Sequence, residues 1–115
     1  MGFKAVHYKD VASEGVEEAG AKGVRVRWLI SKKDGAENFA MRCFEVEPGG
    51  QTPLHSHDWE HEIFILHGEG LAVCSGSVKK IAPGYAVFVP PNIEHCFRNN
   101  TNKQLCLLCL IPHKK

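Results

Sequence analysis

Short strand-forming runs, separated at close intervals by turn-forming residues, are the feature that most constrains how this chain can fold. From Gly23 onward, no stretch of eleven residues holds a convincing helical period. Turn chemistry built on glycine, proline, asparagine and serine recurs at 48–50, 67–70, 75–77, 83–84, 90–92 and 99–102. This punctuation indicates an all-β fold.

Eight strands are predicted between these turns. They span residues 24–30, 39–46, 61–66, 71–74, 78–81, 86–89, 95–98 and 104–111. Many short strands at this spacing favour a closed or double-sheet β architecture. Residues 23–115 are therefore expected to form a single β-barrel domain. Residues 1–22 are charged and weakly patterned, so we expect an N-terminal arm or a short helical turn laid over the barrel.

Length and charge limit the possible functions. The chain has 115 residues, which favours one domain, and 43% of them are hydrophobic, enough for one core. Its 14 basic and 13 acidic residues leave a net charge of +1, with no basic block beyond Lys114 and Lys115. Nucleic acid is accordingly not an expected partner.

The cysteines and the apolar runs suggest where the protein works. Five cysteines are an odd number, and no secretory leader is recognisable, so free thiols in a reducing compartment are the simpler interpretation. We therefore expect a cytoplasmic protein. The longest apolar run, residues 105–111, is far shorter than the roughly 18 residues of a membrane span. No membrane segment is expected.

Histidine is the one compositional anomaly, and four histidines stand where they could meet. His55 and His57 point to the same face of an extended chain, and His61 can return to that face after a short irregular step. His95 lies on a separate predicted strand. Because neutral imidazole is the commonest side-chain metal ligand, this pattern suggests a site for one divalent cation.

The segment around the first three histidines resembles the first signature of the cupin superfamily of small β-barrels. That signature is a glycine, five residues, His-x-His, three or four residues, a glutamate, six residues and a glycine. The chain keeps every spacing, with Gly49, His55, His57, position 61 and Gly68.

The second cupin signature is matched as well. It consists of a glycine, five residues, Pro-x-Gly, two residues, a histidine, three residues and an asparagine, and its spacing is kept by Gly84, Pro90, Asn92, His95 and Asn99. Asn92 replaces the glycine of Pro-x-Gly, a mild departure because asparagine tolerates the left-handed conformation. The resemblance implies a double-stranded β-helix, or jelly-roll barrel.

Position 61 is the more informative departure. A glutamate supplies the third metal ligand of a typical cupin, but His61 stands there, and Glu62 is one residue out of register. The resemblance is therefore to the four-histidine variety, which implies that His55, His57, His61 and His95 are the metal ligands. The metal would be one divalent transition ion: manganese, iron, nickel, copper or zinc.

Four neutral ligands leave the charge of such an ion uncompensated, so the site should attract an anionic or enolisable oxygen donor. An octahedral ion would keep two open positions, whereas a tetrahedral zinc ion with four protein ligands would be closed and structural. The sequence leaves both possibilities open.

Apolar residues near the ligands are expected to form a substrate pocket. Some share strand parity with His61 or His95, and Trp59 either packs over the barrel mouth or contacts substrate. The pair Cys106 and Cys109 has opposite parity, which argues against a shared cysteine site. The predicted pocket residues are Trp59, Ile63, Ile65 and Phe97.

The functional hypothesis is a metal-dependent oxidoreductase of the dioxygenase kind, or a decarboxylase, acting on a small oxygen-rich organic anion. The alternatives are a non-catalytic module that binds a small molecule and a metal-stabilised structural barrel. No catalytic acid or base stands out. A homodimer is also expected, because the alternating strand at residues 24–28 offers an edge that a second subunit could pair.

Overall fold

The computed structural model describes residues 2–113. Met1, which begins the predicted arm, and Lys114 and Lys115, which end the predicted barrel domain, lie outside the described residues.

Nine β-strands and two short 3-10 turns make up the regular structure of residues 2–113. The turns are Tyr8–Asp10 and Lys32–Asp34. The strands are β1 (Ser13–Gly15), β2 (Lys22–Ile30), β3 (Phe39–Gln51), β4 (His61–His67), β5 (Gly70–Cys74), β6 (Ser77–Ile81), β7 (Ala86–Val89), β8 (His95–Arg98) and β9 (Leu105–Pro112). All eight predicted strands are present, and the all-β jelly-roll fold is confirmed.

All strand pairs are antiparallel and join into one curled sheet. Its order is β6-β5-β8-β3-β9-β4-β7, with β2 paired to β3 and β1 paired to β2. The long strand β3 pairs with β9 through residues 39–46 and with β8 through Gln51. A β-bridge between His55 and His95 joins the segment that leads into β4, which begins with His61, to the beginning of β8.

Strand β9 is apolar on both faces because both faces are covered. Leu105, Leu107 and Cys109 point into the main core. The alternate residue Cys106 belongs to a second cluster, against which Tyr8 of the N-terminal segment packs. Alternation in an extended strand thus accounts for a continuous apolar run where a one-sided sheet would show polar residues.

The N-terminal segment does more than the predicted arm. Its strand β1 pairs with β2, with Ser13 opposite Arg27 and Gly15 opposite Arg25. The edge proposed for pairing with a second subunit is therefore occupied along these residues by the same chain. That part of the prediction was wrong, because the sequence of β1 is too short and polar to signal a strand. The homodimer itself stays a prediction, tested by the mass in solution.

The predicted turn at 48–50 is instead an irregularity inside β3. Gly49 takes a left-handed φ of +79°, and the pairing of β2 with β3 shifts register between Lys22 and Val24. A Cβ atom on Gly50 would lie 2.4 Å from the carbonyl oxygen of Lys22. The glycines therefore let two backbones approach closely and bend the strand without ending it.

Among residues 2–113, no helix has the length and apolar character needed to cross a membrane.

Candidate metal centre

The four predicted histidines come together at one end of the barrel. His61 opens β4 and His95 opens β8, while His55 and His57 lie on the segment that leads into β4. His55 is fixed by a β-bridge to His95, whose two backbone hydrogen bonds measure 3.2 and 3.0 Å. One ligand atom from each imidazole lies within 4.8 Å of all the others.

Backbone carbonyls orient two of the rings. The Nδ1 atom of His57 donates to the carbonyl oxygen of Trp59 at 2.9 Å, and the Nδ1 atom of His95 donates to that of Ile93 at 2.9 Å. Because a carbonyl only accepts, both rings must carry the proton on Nδ1. Each Nε2 atom then has a free lone pair, the arrangement found in metal-ligating histidines.

Side chains orient the other two rings. The Nδ1 atom of His55 donates to Glu18 Oε2 at 2.8 Å, and the Nδ1 atom of His61 lies 3.0 Å from Cys109 Sγ. The Nε2 atoms of His61 and His57 face each other at 2.6 Å. All four rings therefore have an outer partner on Nδ1.

Burial favours the neutral form of His57, His61 and His95. Desolvation lowers the pKa of His61 to about 3, and the charges of His57 and Arg42 act in the same direction. Burial also lowers the pKa values of His57 and His95. Protonation thus competes weakly for these nitrogen lone pairs at neutral pH.

This donor set fits a divalent transition metal. Four neutral, pre-oriented imidazoles are a nitrogen site suited to zinc, copper, nickel or iron. Glu62, the carboxylate nearest in sequence to the glutamate position of the signature, is exposed on the opposite face of β4. The structure therefore brings His61, and not Glu62, into the group.

The histidines line a cavity of about 570 Å³, within the usual size range of small-molecule sites. Trp59 lines it and stacks on His57 with ring centroids 4.2 Å apart, and buried Phe97 lines it as well. Ile63 and Ile65 belong to the hydrophobic core and do not line this cavity. Both side chains point into the barrel interior, as their strand alternation predicted, but that part of the interior is filled by other core residues.

A family model described as a cupin domain matches residues 42–111, which is more than half of the chain. The chain belongs to the cupin family.

Solved and curated cupins give the comparison more detail. The polyketide cyclase RemF from Streptomyces resistomycificus is 39% identical, with a TM-score of 0.92 over 97% of this chain and 80% of that one. An oxalate-binding protein from Thermotoga maritima is 34% identical over 97 residues, covering 80% of this chain and 78% of that protein.

A 1-methylthio-D-xylulose 5-phosphate methylsulfurylase from Rhodospirillum rubrum is 37% identical over 71 residues, or 62% of this chain. This cupin spans only 46% of the length of that relative.

Two residues of the site, Glu18 and Arg42, were not singled out from the sequence. Glu18 reaches His55 from the N-terminal segment, and Arg42 on β3 donates to Cys109 on β9. Strand parity places Cys109 on the face opposite Cys106, as predicted, and into the cavity wall. Parity could also have pointed to Arg42, which alternates with the core residue Cys43, whereas the contact of Glu18 has no local sequence signal.

Proposed function

We propose that this cupin holds one divalent transition-metal ion on His55, His57, His61 and His95 and acts on a small, oxygen-rich, enolisable organic anion. The observation that carries the proposal is the convergence of four imidazoles, each with a partner on its outer Nδ1 atom, at a largely apolar cavity. When bound, such an ion supplies Lewis acidity toward a substrate oxygen.

Ligand charge favours an anionic substrate. A metal-ligating imidazole is neutral, and burial lowers the pKa values of His57, His61 and His95, so the ligands leave the double charge of the ion uncompensated. A carboxylate or enol oxygen would be attracted more strongly here than to a site that has a glutamate ligand.

Residues of the chain itself orient the histidine rings and shape the cavity that would hold the substrate. Trp59 fixes the plane of His57 by stacking and by its backbone carbonyl. Phe97 and Leu107 contribute apolar wall, which excludes water from the substrate and strengthens electrostatic interactions inside the cavity. Glu18 accepts the outer proton of His55 and holds that ring in place.

Among the reaction classes, we favour redox-neutral chemistry at a carbonyl group, either ring closure or decarboxylation. The similarity to a polyketide cyclase along nearly the whole chain supports this choice. A dioxygenase-like reaction, the oxidative alternative, is distinguished by oxygen consumption during turnover. We expect none with β-keto acid substrates.

A second candidate function is reversible binding without turnover. It is favoured by the oxalate-binding relative, which matches four fifths of this chain. Saturable binding of oxalate to the metal-loaded protein, with no product after prolonged incubation with oxalate and with β-keto acids, would support this alternative.

The metal content of protein isolated from its native host tests the proposal first. We expect about one transition-metal ion per wild-type chain, lost in His95→Ala and retained in His7→Ala, because His7 is not part of the four-histidine group. Elemental analysis by mass spectrometry gives the stoichiometry.

Equal metal content in the two variants would contradict the four-histidine assignment. Stoichiometric zinc held in a closed tetrahedral site, without exchangeable coordination positions, would contradict a catalytic role.

A further inference from the structure

Arg42 is a cation in the cavity that the metal centre does not explain. It lies on β3, directly opposite Trp28 of β2, and lines the same cavity as the histidines. Its guanidinium carbon lies 5.3 Å from the centre of the Trp28 ring and 4.7 Å from that of Phe44. The two aromatic rings hold the guanidinium in a defined position.

Among residues 2–113, no acidic group forms an ion pair with Arg42. Within residues 2–113, the ion pairs are Lys4 with Asp34, Arg27 with Glu45 and His55 with Glu18. Arg42 takes part in none of them.

The guanidinium group of Arg42 also has few hydrogen-bond partners. Nη2 donates to Cys109 Sγ at 3.2 Å, a weak acceptor. The buried Nε atom has no hydrogen-bond partner among the described residues. Holding a cation with so few partners beside an apolar cavity is costly, and an anion in the cavity would relieve that cost.

Arg42 also stands next to the histidine centre. Cys109 Sγ contacts both Arg42 Nη2, at 3.2 Å, and His61 Nδ1, at 3.0 Å, so a single sulfur atom separates the guanidinium from this ring. Arg42 and the four histidines also line the same cavity, so a small ligand there can contact both. The acidic residues of the cavity, Glu17 and Glu18, lie on the exposed rim.

We propose that Arg42 is the anion-binding residue of this cavity and that the ligand it holds is a carboxylate with a flat, apolar body. The planar guanidinium matches a carboxylate in shape and charge. Val26, Leu107 and Ile111 supply apolar wall beside it. The orientation of the ligand toward the histidines rests on the proposed function, whereas the binding of the carboxylate by Arg42 does not need a metal.

Benzoate and benzamide test this assignment because they share a shape and differ in charge. Their affinities are measured by NMR titration of the protein after chelation and again after loading with Zn²⁺. We expect benzoate to bind roughly tenfold or more tightly than benzamide in both forms, the usual size of a charge-assisted contact. In the chelated protein, Arg42→Gln should abolish the preference, and Arg98→Gln, at an exposed arginine of β8, should keep it.

A second measurement does not depend on the fold of the glutamine variant. The side-chain Nε–H resonance of Arg42, assigned by its loss in Arg42→Lys, should shift in the wild-type protein on addition of benzoate and remain in place with benzamide.

The outcomes separate the two proposals. An unshifted Arg42 resonance, no preference for benzoate in the wild-type protein, or a full preference in a folded, chelated Arg42→Gln variant would overturn the role of Arg42. If the protein failed to retain Zn²⁺ but still preferred benzoate through Arg42, the metal proposal would fail and this one would stand.

Discussion

Asn99 illustrates what single residues contribute to this barrel. It is only 2% exposed, and its amide group is completely used. Nδ2 donates to the carbonyl oxygens of Val46 and Lys103 at 2.8 and 2.7 Å, while Oδ1 accepts from the backbone N–H of Thr101 at 3.0 Å. The asparagine that ends the second signature therefore ties β3 to the turn between β8 and β9.

Asn99→Asp should destabilise the protein by about 3 kcal/mol. The change replaces a two-fold donor by a carboxylate oxygen that faces two carbonyl oxygens, leaving buried acceptors unpaired. Urea unfolding at neutral pH measures the loss, with the exposed Asn102→Asp as the matched control. Equal stability of the two variants would contradict the described role of the Asn99 amide.

His61 should make the metal-free protein less stable in acid. Its pKa is about 3 in the folded protein, well below the usual 6.5 of an exposed histidine, mainly because of burial. Between these values the unfolded chain takes up a proton that the folded protein refuses, so stability is complete above pH 6.5 and falls as the pH decreases toward 3.

We expect a loss of roughly 1 kcal/mol for each pH unit below 6.5 from this residue alone. Denaturant unfolding in the presence of a chelator, at pH 7.5 and 5.5, measures the slope. His61→Gln should flatten it, and an unchanged slope in that variant would assign the acid sensitivity to other groups.

At the scale of elements, two of the turns that connect strands contain a glycine in the left-handed backbone conformation. Gly68 has a left-handed φ of +77° between β4 and β5, and a Cβ atom there would lie 2.2 Å from the carbonyl oxygen of Gln104. Gly76, between β5 and β6, has a similar φ of +80° but no atom within 4 Å of its Cβ position. A side chain at position 76 would therefore add only conformational strain, whereas one at position 68 would add strain and a steric clash.

Gly76→Ala should cost about 1 kcal/mol, the strain of a left-handed alanine. Gly68→Ala should lower the free energy of unfolding by roughly 3 kcal/mol more than Gly76→Ala does, because the Gln104 backbone has to move away. Thermal unfolding of both variants checks the difference, and equal losses would show that the turn before β5 adjusts freely.

At the scale of the whole molecule, the barrel core does not depend on the metal centre. Val46, Ile65 and Leu105 of the main core cluster are fully buried, and none of them lines the cavity that contains the histidines. The centre is nevertheless preformed, since each ring is held by a hydrogen bond on Nδ1. Metal binding should therefore add stability to a protein that folds without it.

Removal of the metal should lower the unfolding temperature and leave the β-sheet circular dichroism intact. At a free Zn²⁺ concentration of about 1,000 times its Kd, the folded state gains about 4 kcal/mol. Calorimetry with and without a chelator measures the change, and His95→Ala should not respond to Zn²⁺. Loss of the sheet on chelation would point to a structural metal.

The strands and the histidine group were predictable because their signals are local. Alternation and turn residues marked every strand from β2 to β9, and the left-handed φ of +66° at Asn92 confirms the interpretation of that substitution. The four histidines were named from motif spacing, and they are the four that lie together. The short strand β1 was missed because three residues carry no recognisable period.

The sequence by itself determined the all-β fold, the family and the four histidines, since these follow from alternation, turn residues and two signatures that are each short, one from Gly49 to Gly68 and one from Gly84 to Asn99. Only the tertiary structure decided what surrounds them. The contacts of Cys109 with Arg42 and His61 join residues 67 and 48 positions apart, and Glu18 meets His55 across 37. No local pattern encodes such contacts, because they arise when the sheet curls and brings distant strands into one cavity.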